Sequence, residues 1–222
     1  MPAATQIPSP RVSAADLNEL ITLLEIRVLG LSECLVSQGF VLELDGNDAP
    51  GIVSLFTYRP ETAKPLCDLA EVLLRGPNSL TRGERELIAS YVSTLNDCSF
   101  CGDSHAAFAA AQLPEGMTLV DQVRVDPASA PVSPKLAALL RIAAAVQRGG
   151  KNVRDEDVAA AREAGATDVE IHDTVLIAAA FCLFNRYVDG LATSLPDDPG
   201  GYAEMAELIV NVGYGVVSGQ PA

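Results

Sequence analysis

Residues 80–105 read LTRGERELIASYVSTLNDCSFCGDSH, and the fold class turns on this stretch. Thr81 and Glu84 form a capping box, in which the hydroxyl accepts from an orphan N–H and the carboxylate reaches back to the cap. The helix it starts is predicted to run to about Leu95. Asn96-Asp97 stops that helix and is expected to cap another, from Cys98 to about Ala111, closed by Pro114 and Gly116. Cys98 and Cys101 are three apart and His105 is four beyond, so a helix carries all three on one face. Cα atoms at that first spacing are roughly 5–5.5 Å apart, inside the usual disulfide range of about 4.4–6.8 Å. Free N–H groups and the positive end of the helix dipole favour a thiolate there. On that ground alone Cys98, nearer the end, is the more acidic thiol. Only Cys101, however, lies one turn from His105, which can take its proton. Glu86 stands twelve residues before Cys98, and a hairpin through Asn96-Asp97 returns it to the His105 face.

Outward from this core the pattern stays helical. Residues 1–12 carry Pro and Ser and are expected to be flexible; residues 13–222 are read as a single helical domain. A helix is predicted over Asp16–Val36, then a loop from Leu44 to Gly51. Short helices follow over Ile52–Tyr58 and Glu61–Leu74, ended by Gly76-Pro77. Met117–Val132 reads as a loop, and Ser133-Pro134 as an N-cap with proline at the first helical position. Further helices are expected over Pro134–Gln147, Glu156–Glu163, Asp168–Thr193 and Tyr202–Val217, Gly213 and Gly215 notwithstanding. The expected fold is all-α, with an inner layer of the helices at 82–95, 98–111 and 168–193. A shift of 86 residues lays Thr81-x-x-Glu84 on Thr167-x-x-Glu170 and Cys98–Asp103 on Phe184–Asp189, an echo of two similar halves.

Composition narrows the function. Apolar residues make up 49% of 222, led by Ala and Leu with no Trp, which favours packed helices. A net charge of −14 repels phosphate backbones and anionic membranes alike, so neither nucleic acid nor membrane is an expected partner. The N-terminus shows no basic region leading into an apolar run, and five cysteines do not make a disulfide framework, so a cytoplasmic location is expected. With nearly every helix carrying a wide apolar face, a homo-oligomer is expected too.

The quoted stretch resembles the E-x11-C-x2-C-x3-H signature of the AhpD-like alkylhydroperoxidases in the carboxymuconolactone decarboxylase superfamily. Its flanks agree with the peroxidase-related branch: Pro50-Gly-Ile, Arg59-Pro-Glu-Thr, Leu73-Leu-Arg-Gly76 and Phe184-Asn-Arg-Tyr-Val-Asp189. The resemblance runs from about residue 50 to residue 191. It implies an AhpD-like helical fold with the CxxC at the N-terminus of a core helix, homo-oligomeric assembly and thiol-dependent reduction of hydrogen or organic hydroperoxides. It assigns Cys101 as the peroxidatic cysteine, Cys98 as the resolving one, and Glu86 and His105 as the proton relay. The best-known members carry a histidine just before the second cysteine; Phe100 stands there in this chain, and the relay is one group shorter.

No cofactor is implied beyond an external dithiol reductant or redox adaptor protein. Two other functions fit the same residues: acid–base chemistry of a decarboxylase or isomerase on a small acid through His105 or Glu86, and a thiol–disulfide adaptor or redox sensor. A zinc site from Cys98, Cys101, His105 and Glu86 is disfavoured, because His172 is the one further histidine and no second ligand pair is visible. Cys34, Cys67 and Cys182 read as small core hydrophobes. His172 reads as solvent-exposed or capping, and Asn185, Arg186 and Asp189 as interhelical polar contacts, with lining of the pocket as the alternative.

Overall fold

The computed structural model describes residues 49–218, and every regular element among them is helical. The segment 1–12, the helix expected over Asp16–Val36, Cys34 and most of the 44–51 loop lie outside the described residues. Helix α1 spans Ile52–Tyr58, and α2 (Pro60–Arg75) follows directly with Pro60 in its first turn, where a missing N–H costs nothing. Helix α3 (Arg82–Leu95) opens on the anticipated capping box: Glu84 N–H donates to Thr81 Oγ1 at 3.1 Å and Thr81 N–H to Glu84 Oε2 at 2.8 Å. Then come α4 (Ser99–Ala110), α5 (Gly116–Val125), α6 (Pro134–Arg148), a 3-10 turn (Gly150–Asn152), α7 (Asp155–Glu163), α8 (Asp168–Gly190), α9 (Gly200–Asn211) and a terminal 3-10 turn (Tyr214–Ser218). Ser133 caps α6 through Leu136 N–H, and Thr167 with Glu170 forms the second capping box, at the start of α8.

Four expectations are corrected. The 117–132 loop contains α5: Leu119, Val120 and Val123 lie on one buried face, and Gly116, at φ 58°, makes the turn that admits the helix. The helix after the CxxC turn starts at Ser99, so Cys98 rather than Asp97 is its N-cap residue. The helix over 168–193 ends at Gly190, where Ala192, at φ 49°, turns the chain and Thr193 N–H bonds Val188 O. The helix predicted over Tyr202–Val217 begins at Gly200 and stops at Asn211; Gly213, at φ 111°, separates it from the terminal turn.

Helices α3, α8 and α6 enclose the centre. Leu87, Ile88 and Val92 of α3 meet Ile177, Ala178 and Phe181 of α8 and Leu139, Leu140 and Ile142 of α6, all of them buried. Each fully buried Leu or Ile stabilises the fold by about 1.5–3 kcal/mol relative to exposure. The inner layer therefore includes α6 alongside the three helices expected. Helix α8 is long and apolar enough to cross a membrane by composition, but half of that stretch is buried against neighbouring helices.

Candidate active site

The site is assembled at the α3–α4 turn. Asn96 N–H closes on Val92 O and Ser93 O, Asp97 takes a left-handed φ of 56°, and Cys98 N–H returns to Ser93 O at 3.1 Å. Asparagine and aspartate tolerate that backbone region better than other side-chain-bearing residues, which is what Asp97 contributes in place of a cap. The turn is pinned from two other helices. Asn96 Nδ2 donates to Asn185 Oδ1 (2.8 Å), Gln147 Nε2 donates to Asn96 Oδ1 (2.9 Å), and Asn185 Nδ2 donates to Ser93 Oγ (3.0 Å). Ser90 Oγ donates to Gly102 O at 3.0 Å and ties α3 to α4 directly.

Pairing α3 with α4 brings Glu86 back to His105. The Glu86 carboxylate has no solvent exposure, and His105 Nδ1 lies 2.6 Å from its Oε2. An ionised carboxylate only accepts, so with Glu86 in that form the bond is donated by Nδ1–H, and a neutral imidazole then presents Nε2 as a lone pair. The ring is held edge-on by Phe108 and Phe181, with centroids at 5.0 and 4.5 Å. The other carboxylate oxygen, Oε1, accepts from the Tyr214 hydroxyl at 2.7 Å. Burial, followed by the Glu86 charge, pushes the Tyr214 hydroxyl well above the usual tyrosine range.

The two thiols have different surroundings. Both are free thiols in this structure and buried, packed with Phe100 and Val188 in a small apolar cluster. The hydrogen bond to Cys101, then burial, raises the Cys98 thiol far above the ordinary cysteine range. Asp189 of α8 also meets Cys98; desolvation raises its carboxyl, and the hydrogen bond from the thiol opposes that. Of the three polar residues in the echo, Asn185 and Arg186 serve as structural contacts, Arg186 bonding Cys182 O, and Asp189 is the one that reaches a thiol.

A cavity of about 70 Å³ opens beside Cys101. Cys101, Ser104 and His105 face it, whereas Cys98 does not; the remaining wall is mostly aromatic and aliphatic, including Phe56, Phe181 and Ile209. Phe100 closes one side under Gly51, whose φ is 58° and where a Cβ would fall 2.3 Å from the ring. Cys67 is buried in the core as expected and also touches this cavity; Cys182 is partly buried, and His172 is exposed beside Asp173. Among the described residues no group of three or more His, Cys, Asp or Glu side chains is arranged to hold a metal.

Sequence reasoning missed Tyr214. It lies 128 residues from Glu86, and no local pattern marks it.

Residues 60–113 match the carboxymuconolactone decarboxylase family. The fold is similar to that of an uncharacterized peroxidase-related protein from Ralstonia eutropha JMP134, solved as an alkylhydroperoxidase AhpD core. That pair is 25% identical with a TM-score of 0.64, covering 91% of this chain and 98% of the other. An uncharacterized peroxidase-related protein from Silicibacter sp. TM1040 is 22% identical with a TM-score of 0.63, covering 91% and 94%, a likeness of fold. No curated protein matches the sequence.

Proposed function

For a chain that is an AhpD-like member of the carboxymuconolactone decarboxylase superfamily, we propose thiol-dependent reduction of hydroperoxides at Cys101. The observation that carries this reading is the asymmetry of the cavity: it reaches Cys101 and His105 and leaves Cys98 behind them. The same asymmetry supports the order of the two cysteines, attack by Cys101 and resolution by Cys98.

His105 Nε2 takes the Cys101 proton, and the thiolate sulfur attacks the terminal oxygen of ROOH. The O–O bond breaks, sulfur is oxidised to the sulfenic acid, and the alkoxide leaves as ROH with the proton returned from His105. Cys98 sulfur then displaces the sulfenic oxygen; the S–S bond forms, and water leaves with the Cys98 proton. An external dithiol, free or carried on a redox adaptor protein, supplies two electrons and two protons to restore both thiols. Glu86 holds the imidazole in the tautomer this cycle needs and stabilises the imidazolium that forms.

The cavity wall has no Lys or Arg among the described residues, which suits an uncharged hydroperoxide better than a small carboxylic acid. The assembly we propose is a homo-oligomer, and a groove in which Tyr58, Leu66, Leu183 and Tyr187 lie beside Arg59, Glu61 and Thr62 is the surface we assign to a second copy of the chain. The proposed setting remains the cytoplasm, where the dithiol state is maintained.

Stopped-flow mixing of the reduced protein with hydrogen peroxide and an organic hydroperoxide, with thiols counted before and after, tests the reading. Loss of two thiols per chain with one equivalent of peroxide supports it. Thiols that survive excess peroxide overturn it.

A further inference from the structure

We infer that Tyr214 is a positioning residue of this site: its hydroxyl fixes the Glu86 carboxylate so that the opposite oxygen stays on His105. The inference rests on the peroxidase reading for its activity assay, while the underlying geometry stands apart from it.

A carboxylate turns easily about its last torsion, which is broad and two-fold. One donor on Oε2 leaves that rotation open, and in a site without solvent exposure it also leaves Oε1 desolvated and unpaired. Tyr214 supplies the second donor from the other side at 2.7 Å, and its ring lies 14° from parallel to the imidazole, centroids 6.3 Å apart. Burial, with the neighbouring Glu86 charge, keeps the hydroxyl protonated across working pH, so it donates and does not titrate.

The tyrosine is itself held. Its backbone N–H donates to Glu71 Oε2 at 2.9 Å, and Glu71 Oε1 accepts from Arg75 Nε at 2.9 Å. Arg75 Nη1 donates to the carbonyls of Ile209 and Val210, in the last turn of α9, at 2.6 and 2.9 Å. Gly213 turns the chain into this position; a Cβ there would lie 2.6 Å from Glu71 Oε2, and its φ of 111° excludes most other residues. A continuous network thus runs from α2 through the terminal turn to Glu86, His105 and the cavity. The charged or titratable groups facing the Glu86–Tyr214 pair are His105 from α4, Glu71 and Arg75 from α2, and Arg85 of α3.

Tyr214→Phe keeps the ring in the cavity wall and removes only the donor. Losing one hydrogen bond to a charged group predicts a roughly tenfold or greater fall in the peroxide reaction rate. Without that donor the buried Glu86 anion leans more on the His105 proton and favours the imidazolium over the free base, so the acid limb of the pH–rate profile moves to higher pH. A purely structural role would lower the melting temperature and leave that limb in place.

A second readout needs no peroxide: the pH dependence of iodoacetamide alkylation of Cys101 in a Cys98→Ser background, with and without Tyr214→Phe. A limb displaced in alkylation but no peroxide reaction in the parent protein supports Tyr214 and sinks the peroxidase reading. Peroxide turnover in the parent, with both limbs unmoved by Tyr214→Phe, overturns the inference and spares the reading. If Tyr214→Phe does not fold, Glu71→Gln, which removes the charged acceptor of the tyrosine's N–H, decides: a limb moved to higher pH supports the inference, and a limb unmoved or moved to lower pH, as loss of the Glu71 charge alone would give, overturns it.

Discussion

Replacing Glu86 by glutamine conserves shape and removes one negative charge from a site with no exposure. The new amide oxygen can still accept from His105 Nδ1–H. Its NH2 group then faces the Tyr214 hydroxyl, which now sits 2.7 Å from a carboxylate oxygen and must turn to accept. That turn strands the hydroxyl proton and one amide hydrogen, at a cost of about 1–3 kcal/mol of folding stability. For a domain of this size that is a melting temperature lower by roughly 2–12 °C. Catalysis loses more, because the bond to the imidazole is no longer charge-assisted. Such bonds contribute about 1.5–3 kcal/mol, or a rate roughly 10- to 150-fold slower when the imidazolium must form. Stopped-flow reaction of the reduced variant with tert-butyl hydroperoxide measures the rate, and calorimetry measures the stability. A folded Glu86→Gln protein that reacts within about twofold of wild type would remove the relay from the mechanism.

Three further outcomes follow from the same geometry. Cys98→Ser should react once with peroxide and leave a dimedone-trappable sulfenic acid on Cys101, while Cys101→Ser stays inert; mass spectrometry finding the adduct on Cys98 reverses the order. Gly51→Ala places a methyl group 2.3 Å from the Phe100 ring at a φ of 58°, so denaturant melts should show a loss of about 2–4 kcal/mol. Burial opposes ionisation of Glu170, but Lys135, the Thr167 N–H and Ser79 outweigh it and hold the carboxyl at about 2. A depressed folded value gives stability that is complete above the unfolded value and lost as pH falls from about 4.5 to about 2, on the order of 3 kcal/mol. Unfolding free energies of Glu170→Gln should be flatter across that window, and a slope equal to wild type would remove Glu170 as its cause.

Where the fold was legible, short side-chain signals made it so. Thr81 with Glu84 and Thr167 with Glu170 fix helix starts through contacts three residues apart, Ser133 does so through Leu136 N–H with Pro134 as the first helical residue, and all three starts appear in the structure. Helix α5 was hidden because Glu115 gives it no side-chain cap and Pro114-Glu-Gly116 reads as a loop. The cap at α4 was misread because aspartate is a favoured cap residue, and its tolerance of positive φ mattered more here. The meeting of Glu86 with His105 was legible in the spacing because α3 and α4 are joined by a tight turn, which makes their contact nearly local. The raised Cys98 thiol could not, since it depends on burial and on Cys101 and Asp189, the latter brought in by α8. Tyr214 had no signal at all: its partner is set by how the last helix crosses the others.

The Glu86–Tyr214 bond also imposes an order of events on synthesis. Helices α3 and α4 leave the ribosome more than a hundred residues before Tyr214 does, so the hairpin can bring His105 to Glu86 while one oxygen of that carboxylate still has no tyrosine donor. The nascent domain must keep this charge hydrated, or bury it one donor short, until the terminal turn arrives. Completion of the reactive site is therefore a late step of maturation, and a chain stalled or clipped before Gly213 would display the cysteine pair without the closed pocket around it.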